Sequence, residues 1–144
     1  MPCKSTWYIE NQVLFVHIWG DTDLDDYISY FQQSYEAYDQ SDAPVIHTIV
    51  DASGVNKQAN LIDVQRALPK TRHPRSGWTV TVKDGPGSVM ARFVMTMVSK
   101  VLNLHFRHFD TLDEALEFLR HIDPNLDWDQ ARQSVLKLDS STTG

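Results

Sequence analysis

The sequence is short of cysteine, of basic charge and of long apolar runs. A single cysteine, Cys3, in 144 residues has no partner for an intrachain disulfide and points to a reducing compartment. The apolar runs fall well short of the ~20 residues a membrane helix needs, and the N-terminus does not resemble a secretory leader. A soluble, cytoplasmic protein with no membrane insertion is the expectation. Lys and Arg number 13 against 19 Asp and Glu, a net charge of −6, which argues against the basic face of a general nucleic-acid binder. Lys70, Arg72, His73 and Arg75 do cluster, but within a loop.

Patterns that would carry catalysis or a metal are also missing. The six histidines show no His-Glu-x-x-His spacing and no Cys-x-x-Cys accompanies them. His105 and His108 fall on opposite faces of one strand, and His17 and His47 sit in buried-looking strands, where a hydrogen-bonded core histidine is the plainer reading. Asp21, Asp23, Asp25 and Asp26 lack the central glycine and terminal glutamate of a calcium loop and suit the start of a helix instead. Cys3, on a loose terminus, is a poor nucleophile. No cofactor, metal or catalytic residue is expected.

What is present is a regular alternation of elements in a chain long enough for one domain. Trp7 to Ile9 and Val13 to Trp19 read as a hairpin turned at Glu10-Asn11-Gln12, with the second strand apolar on both faces. Asp21 or Thr22 caps a helix whose apolar stripe runs through Leu24, Tyr27, Ile28, Phe31, Tyr35 and Tyr38. Val45 to Val50 is apolar on both parities, as in a strand buried at the centre of a sheet. A short helix, Leu61 to Leu68, starts at Asn60, and Trp78 to Val82 alternates with threonine like a half-exposed strand nearer the sheet edge than the strand at Val45. Met90, Phe93, Val94, Met97, Val98, Val101 and Leu102 predict a helix covering much of the sheet with a broad apolar face. Leu104 to Phe109 is a last strand. Thr111 and Glu114 form a capping box for a helix closed by Asp123-Pro124, and Asp127 starts one more, with Trp128, Ala131, Val135 and Leu138 on one side. The tail 139–144 is polar and expected to be disordered.

Two turns stand out. Asp51-Ala-Ser-Gly54 follows the central strand, where open α/β sheets hold working residues; Asp51, Ser53 and Gly54 are the candidate regulatory turn, with Ser53 either a phosphoacceptor or a residue of local turn bonding. Gly85, Gly87 and Ser88 lie between a strand and a helix and form a weaker anion-binding candidate, without P-loop spacing or its lysine.

The hairpin, the central strand running into Val-Asp-Ala-Ser-Gly-Val, and the closing Phe-Arg-His-Phe-Asp-Thr-Leu-Asp-Glu-Ala-Leu-Glu-Phe-Leu resemble the STAS/SpoIIAA-like family of anti-sigma-factor antagonist-type domains over residues 7–122. The resemblance implies an α/β sandwich, an N-terminal β-hairpin followed by alternating α and β, with a mostly parallel central sheet covered by helices. It also implies a regulatory, non-enzymatic module, in some members switched by serine phosphorylation. The family's turn reads Asp-Ser-Ser-Gly or Asp-Ser-Thr-Gly; Asp51, Ser53 and Gly54 match it and Ala52 departs.

The leading expectation is therefore a single domain, 1–138, that binds a protein partner and forms a homo-oligomer through a sheet edge or the helix over 127–138, which has no obvious surface of its own to cover. The alternative is a small apolar ligand or lipid held under the 88–102 helix. A cavity of about 300 Å³ or more beneath that helix would favour the second reading.

Overall fold

A computed structural model describes residues 3–85 and 87–137. The chain forms β1 (Cys3–Ile9), β2 (Val13–Asp21), α1 (Leu24–Gln40), β3 (Ile46–Lys57), α2 (Leu61–Ala67), β4 (Ser76–Val82), α3 (Ser88–Leu102), β5 (His105–Phe109) and α4 (Leu112–Ile122), then two 3₁₀ turns, Trp128–Gln130 and Gln133–Lys137. The five strands form one sheet in chain order. β1 is antiparallel to β2 and every later pair is parallel. Asn11, at a left-handed φ of 66°, turns the hairpin, a conformation asparagine tolerates better than most residues.

The double parity of β2 and β3 has a direct consequence, because each face of the sheet acquires its own core. Leu14, Val16, Ile18, Ile46 and Val50 pack with Tyr27, Tyr30, Phe31, Tyr38, Val64, Val94 and Val98 from α1, α2 and α3. Val13, Phe15, Ile49, Val80 and Val82 pack on the other side with Ala115, Leu116 and Leu119 of α4. β3 lies at the centre, as its composition implies.

Several elements depart from the sequence reading. β1 starts at Cys3, which is buried rather than loose. The N-cap of α1 is Asp23, not Asp21 or Thr22: Asp23 accepts from Asp26 N–H and Asp26 accepts from Asp23 N–H, a full reciprocal box. Thr22 is instead buried, donating to Lys57 C=O at 3.0 Å and accepting from Ala59 N–H at 2.9 Å, which pins the end of β3. At Thr111 only half the box forms. Its hydroxyl accepts from Glu114 N–H, while the Glu114 carboxylate accepts from that hydroxyl rather than from the backbone N–H.

β4 is not half-exposed. It lies between β3 and β5, and Thr79 to Val82 are all buried. Thr81 meets its polar demand by pairing with His108 Nδ1 at 2.7 Å, so threonine's branched body fills a core position that alternation alone scores as polar.

The stretch after Asp127 is not a helix. Its 3₁₀ turns bring Trp128, Ala131, Val135 and Leu136 onto the core beside Tyr8, and Arg132 N–H bonds Tyr8 C=O. The surface thought to be missing is the α4-side end of the β1–β2 hairpin, which removes the motive for self-association through this segment. Leu138, expected on the apolar side of that segment, and the tail 139–144 lie outside the described residues.

Candidate functional site

Asp51, Ala52, Ser53 and Gly54 do not form a turn. β2 runs on to Asp21 and keeps β3 extended beside it, pairing His17 with Asp51, Trp19 with Gly54 and Asp21 with Lys57. Three residues of β3 advance where β2 advances two, so Ala52-Ser53 sits in a β-bulge, a feature that re-aims side chains where pairing is interrupted. Turn-forming residues serve a bulge for the same reason they serve a turn: each tolerates an interrupted ladder. The next helix starts only at Leu61, capped by Asn60, so Ser53 does not stand at a helix N-terminus.

Register also assembles one row of side chains across the α4 face: Lys4, His17, Asp51, Val82 and Phe109. Asp51 Oδ1 accepts from the Ser53 hydroxyl at 2.6 Å and from Ser53 N–H at 3.0 Å. His17 Nδ1 lies 3.7 Å from Asp51 Oδ2, and the ring stacks on Trp19. Burial pushes the Asp51 carboxyl up, but the donors from His17 and Ser53 together hold it below its ordinary value. At 3.7 Å the His17 contact is too long for a hydrogen bond, so the two direct donors to the carboxylate are those of Ser53. His17 is buried with neither ring nitrogen bonded among the described residues. The carboxylate stands between serine and histidine, so the histidine cannot take the serine proton; this is not a nucleophilic triad.

The remaining buried histidines act as ties. His47 Nδ1 accepts from Trp78 N–H at 2.9 Å, which places the other proton on Nε2 for Asp123 at 3.0 Å. This one ring joins β3, β4 and the end of α4. His73 Nδ1 accepts from Arg75 N–H and Nε2 meets Asp39 at 2.6 Å, clamping the 68–75 loop to α1. These carboxylates lie 34 and 76 residues away in sequence, and no local signal marks them. His105 and His108 do point to opposite faces: one stacks on Trp78, the other bonds Thr81 and Lys83 C=O. Burial pushes the Cys3 thiol up to about 12, so it is protonated and inert at neutral pH.

The loop before α3 places Gly87 at φ 91° as the N-cap, with no side-chain cap. Gly85 is also left-handed, and Ser88 N–H bonds back to Gly85 C=O. The nearest lysine, Lys83, is buried and sends its ammonium to Val55 C=O at 3.1 Å. Its stem passes against the loop, with Cε 3.2 Å from where a Cβ on Gly87 would stand, while its ammonium is held by β3. Behind it, between α3, α1 and the sheet, is a cavity lined by Ile18, Tyr30, Val50, Lys83 and Met95, of about 20 Å³, room for one water.

The broad face foreseen for α3 splits in two. Ala91, Val94, Met95, Val98 and Leu102 are buried, whereas Val89, Met90, Phe93 and Val101 stand in solvent. Ile62 on α2 is exposed beside them, and Ile62 and Met90 wall a groove of about 460 Å³ floored by Gln58, Ala59, Asn60 and Leu61. Period counting sums the two stripes, because both consist of apolar side chains on one helix.

Neither a family model nor a curated protein matches the chain. Among solved structures, it is similar to the crystal structure of an uncharacterized protein from the DUF3478 family with a SpoIIAA-like fold from Shewanella loihica PV-4. The TM-score is 0.55, over 81% of this chain and 91% of that one, at 14% sequence identity. The fold is SpoIIAA-like. At that identity the likeness carries the fold and no activity, and the SpoIIAA-like frame accounts for the hairpin, the parallel strands and the helices on both faces. No helix among the described residues is long and apolar enough to cross a membrane.

Proposed function

We propose that the protein is a non-enzymatic interaction module that docks a protein partner on the outer face of α2 and α3. One observation carries the reading. Val89 is 82% exposed, Ile62 67%, Val101 59%, Phe93 56% and Met90 51%, all on that face, and Val45, at 45%, is the one further exposed large apolar side chain among the described residues. Contiguous exposed apolar surface of this kind marks interaction sites. The rest of the chemistry points the same way, since His47, His73 and His108 are engaged in structural bonds. A small apolar ligand under α3 finds little support in a space of about 20 Å³.

Ser53 enters this reading as a switch candidate. Its hydroxyl is exposed but bound to Asp51, so a phosphate adding about −1.5 to −2 charges would expel that carboxylate and reshape the bulge. Mass spectrometry of the native protein tests for it.

The docking reading is tested by placing a photo-crosslinking amino acid at Phe93 and, as a control, at Glu117 on α4, in the native host. A discrete crosslinked product from position 93 and none from 117 is expected. Absence of any product at 93, or equal yields at both, rejects the face as a docking surface.

A further inference from the structure

The apolar ridge of α3 is bordered by positive charge that no carboxylate among the described residues pairs with. Arg92, Thr96 and Lys100 follow at four-residue steps, one line along the helix, beside the line of Val89, Phe93, Met97 and Val101. On α2, Arg66 stands one turn after Ile62 on the same outward side. All three cations are exposed. Among the described residues no carboxylate lies within salt-bridge distance of any of them. α3 contains no acidic residue, and Asp84 is the only one between positions 64 and 109, in a protein of net charge −6. Three of the 13 Lys and Arg thus border the exposed apolar face, and α3 sets no acidic residue beside them.

We propose that the occupant of this face is an acidic amphipathic helix of another protein, with apolar side chains seated on Phe93, Val101 and the Ile62–Met90 groove and carboxylates facing Arg66, Arg92 and Lys100. The proposal rests on the docking reading above and adds the partner's chemistry. From Met90 to Val101 the ridge runs about 16 Å, so three turns of a partner helix with anchors at i, i+3, i+4 and i+7 match its length. Two copies of the chain meeting through this face would bring their own arginines and lysines together, and like charges across an interface oppose association. A flat anionic bilayer fits less well, because the groove between Ile62 and Met90 is concave and three cations give little of the attraction a polybasic segment supplies.

The test is a displayed library of amphipathic helical peptides whose apolar positions are fixed and whose polar positions are free to be Glu or Lys. It is selected on the wild-type protein and counter-selected on Phe93→Ser. Recovered binders are expected to be rich in Glu, to lose at least tenfold in affinity on Phe93→Ser, and to weaken as salt is raised. On the double variant Arg92→Glu, Lys100→Glu the same library is expected to return Lys-rich sequences instead. Binders that depend on Phe93 but show no preference for Glu would overturn the acidic partner while leaving the docking face standing. No Phe93-dependent binder, together with no crosslink at position 93, would remove both. Concentration-dependent dimerisation in sedimentation that Phe93→Ser abolishes would assign the face to a second copy. Flotation with vesicles of phosphatidylglycerol and phosphatidylcholine, lost in Phe93→Ser, would assign it to a membrane; either result overturns the proposal.

Discussion

Truncating Phe93 and Met95 separately should produce an inverted order of cost, and that inversion tests whether the ridge is free surface in the isolated protein. Phe93 and Met95 are two residues apart on α3, yet Phe93 is 56% exposed and Met95 7%. A buried methionine cut to alanine loses its transfer energy and leaves a cavity beside Tyr30 and Val50, a cost of about 2–5 kcal/mol. A buried phenylalanine would cost about 3–5 kcal/mol by the same account. With over half of its surface already in water, Phe93 has much less to lose, and alanine's better helix propensity returns a few tenths. Phe93→Ala is expected to cost about 1 kcal/mol or less. The larger side chain is thus the cheaper one to remove. Urea unfolding of the two variants measures the difference, and a chain of this size loses about 2–4 °C of Tm per kcal/mol. Should Phe93→Ala destabilise as much as Met95→Ala, Phe93 is a core residue and the ridge disappears as a binding surface.

Two further outcomes bear on the sheet. A Cβ at Gly77 would lie 2.6 Å from His47 Nδ1 and from Val45 Cγ1; the His47 ring is pinned by Trp78 and Asp123 and cannot swing away, so Gly77→Ala should cost about 1–3 kcal/mol in urea unfolding, and a cost under about 0.5 kcal/mol would show the tie to be slack. Because the folded state holds Asp51 below an ordinary aspartate's value of about 3.9, its contribution is present above that pH and is lost as pH falls through the folded value. Ser53→Ala removes one donor to the ionised carboxylate, so it should destabilise at pH 7 by about 1 kcal/mol or less, given the exposed hydroxyl, and the gap from wild type should narrow as pH falls through the lowered value of Asp51; a gap independent of pH would mean that the bond does not favour the charged form.

The frame of this fold is written locally. Val13 to Trp19 and Val45 to Val50 carry apolar residues on both parities, which is enough to place them inside a sheet covered on both sides. The helix starts at Asn60 and Thr111 are equally local, since a cap is a bond between neighbours. What sequence reading misplaces is set by pairing. Asp51 to Gly54 has the composition of a turn, and only the run of β2 to Asp21 alongside it decides for a bulge. The partners of His47 and His73 depend on how α4 and α1 dock, and the row from Lys4 to Phe109 exists only once four registers are fixed. Thr79 and Thr81 mislead in the opposite way, because both are buried inside the sheet and the Thr81 hydroxyl finds its partner in His108.

The split of α3 follows from the same limit and explains why the site was harder to read than the fold. A helix of 15 residues laid on a sheet can bury one side of its circumference, and Ala91, Val94, Met95, Val98 and Leu102 already fill that side. The apolar residues left over on the far side cannot be serving the intrachain core, whatever their periodicity suggests. Their excess, rather than their pattern, is the functional signal, and it becomes visible only when the width of the buried face is known. Exposed valine, methionine and phenylalanine gain nothing in water and raise the risk of aggregation, so their concentration beside Arg66, Arg92 and Lys100, which meet no carboxylate among the described residues, supports the proposed partner that would cover both kinds of group at once.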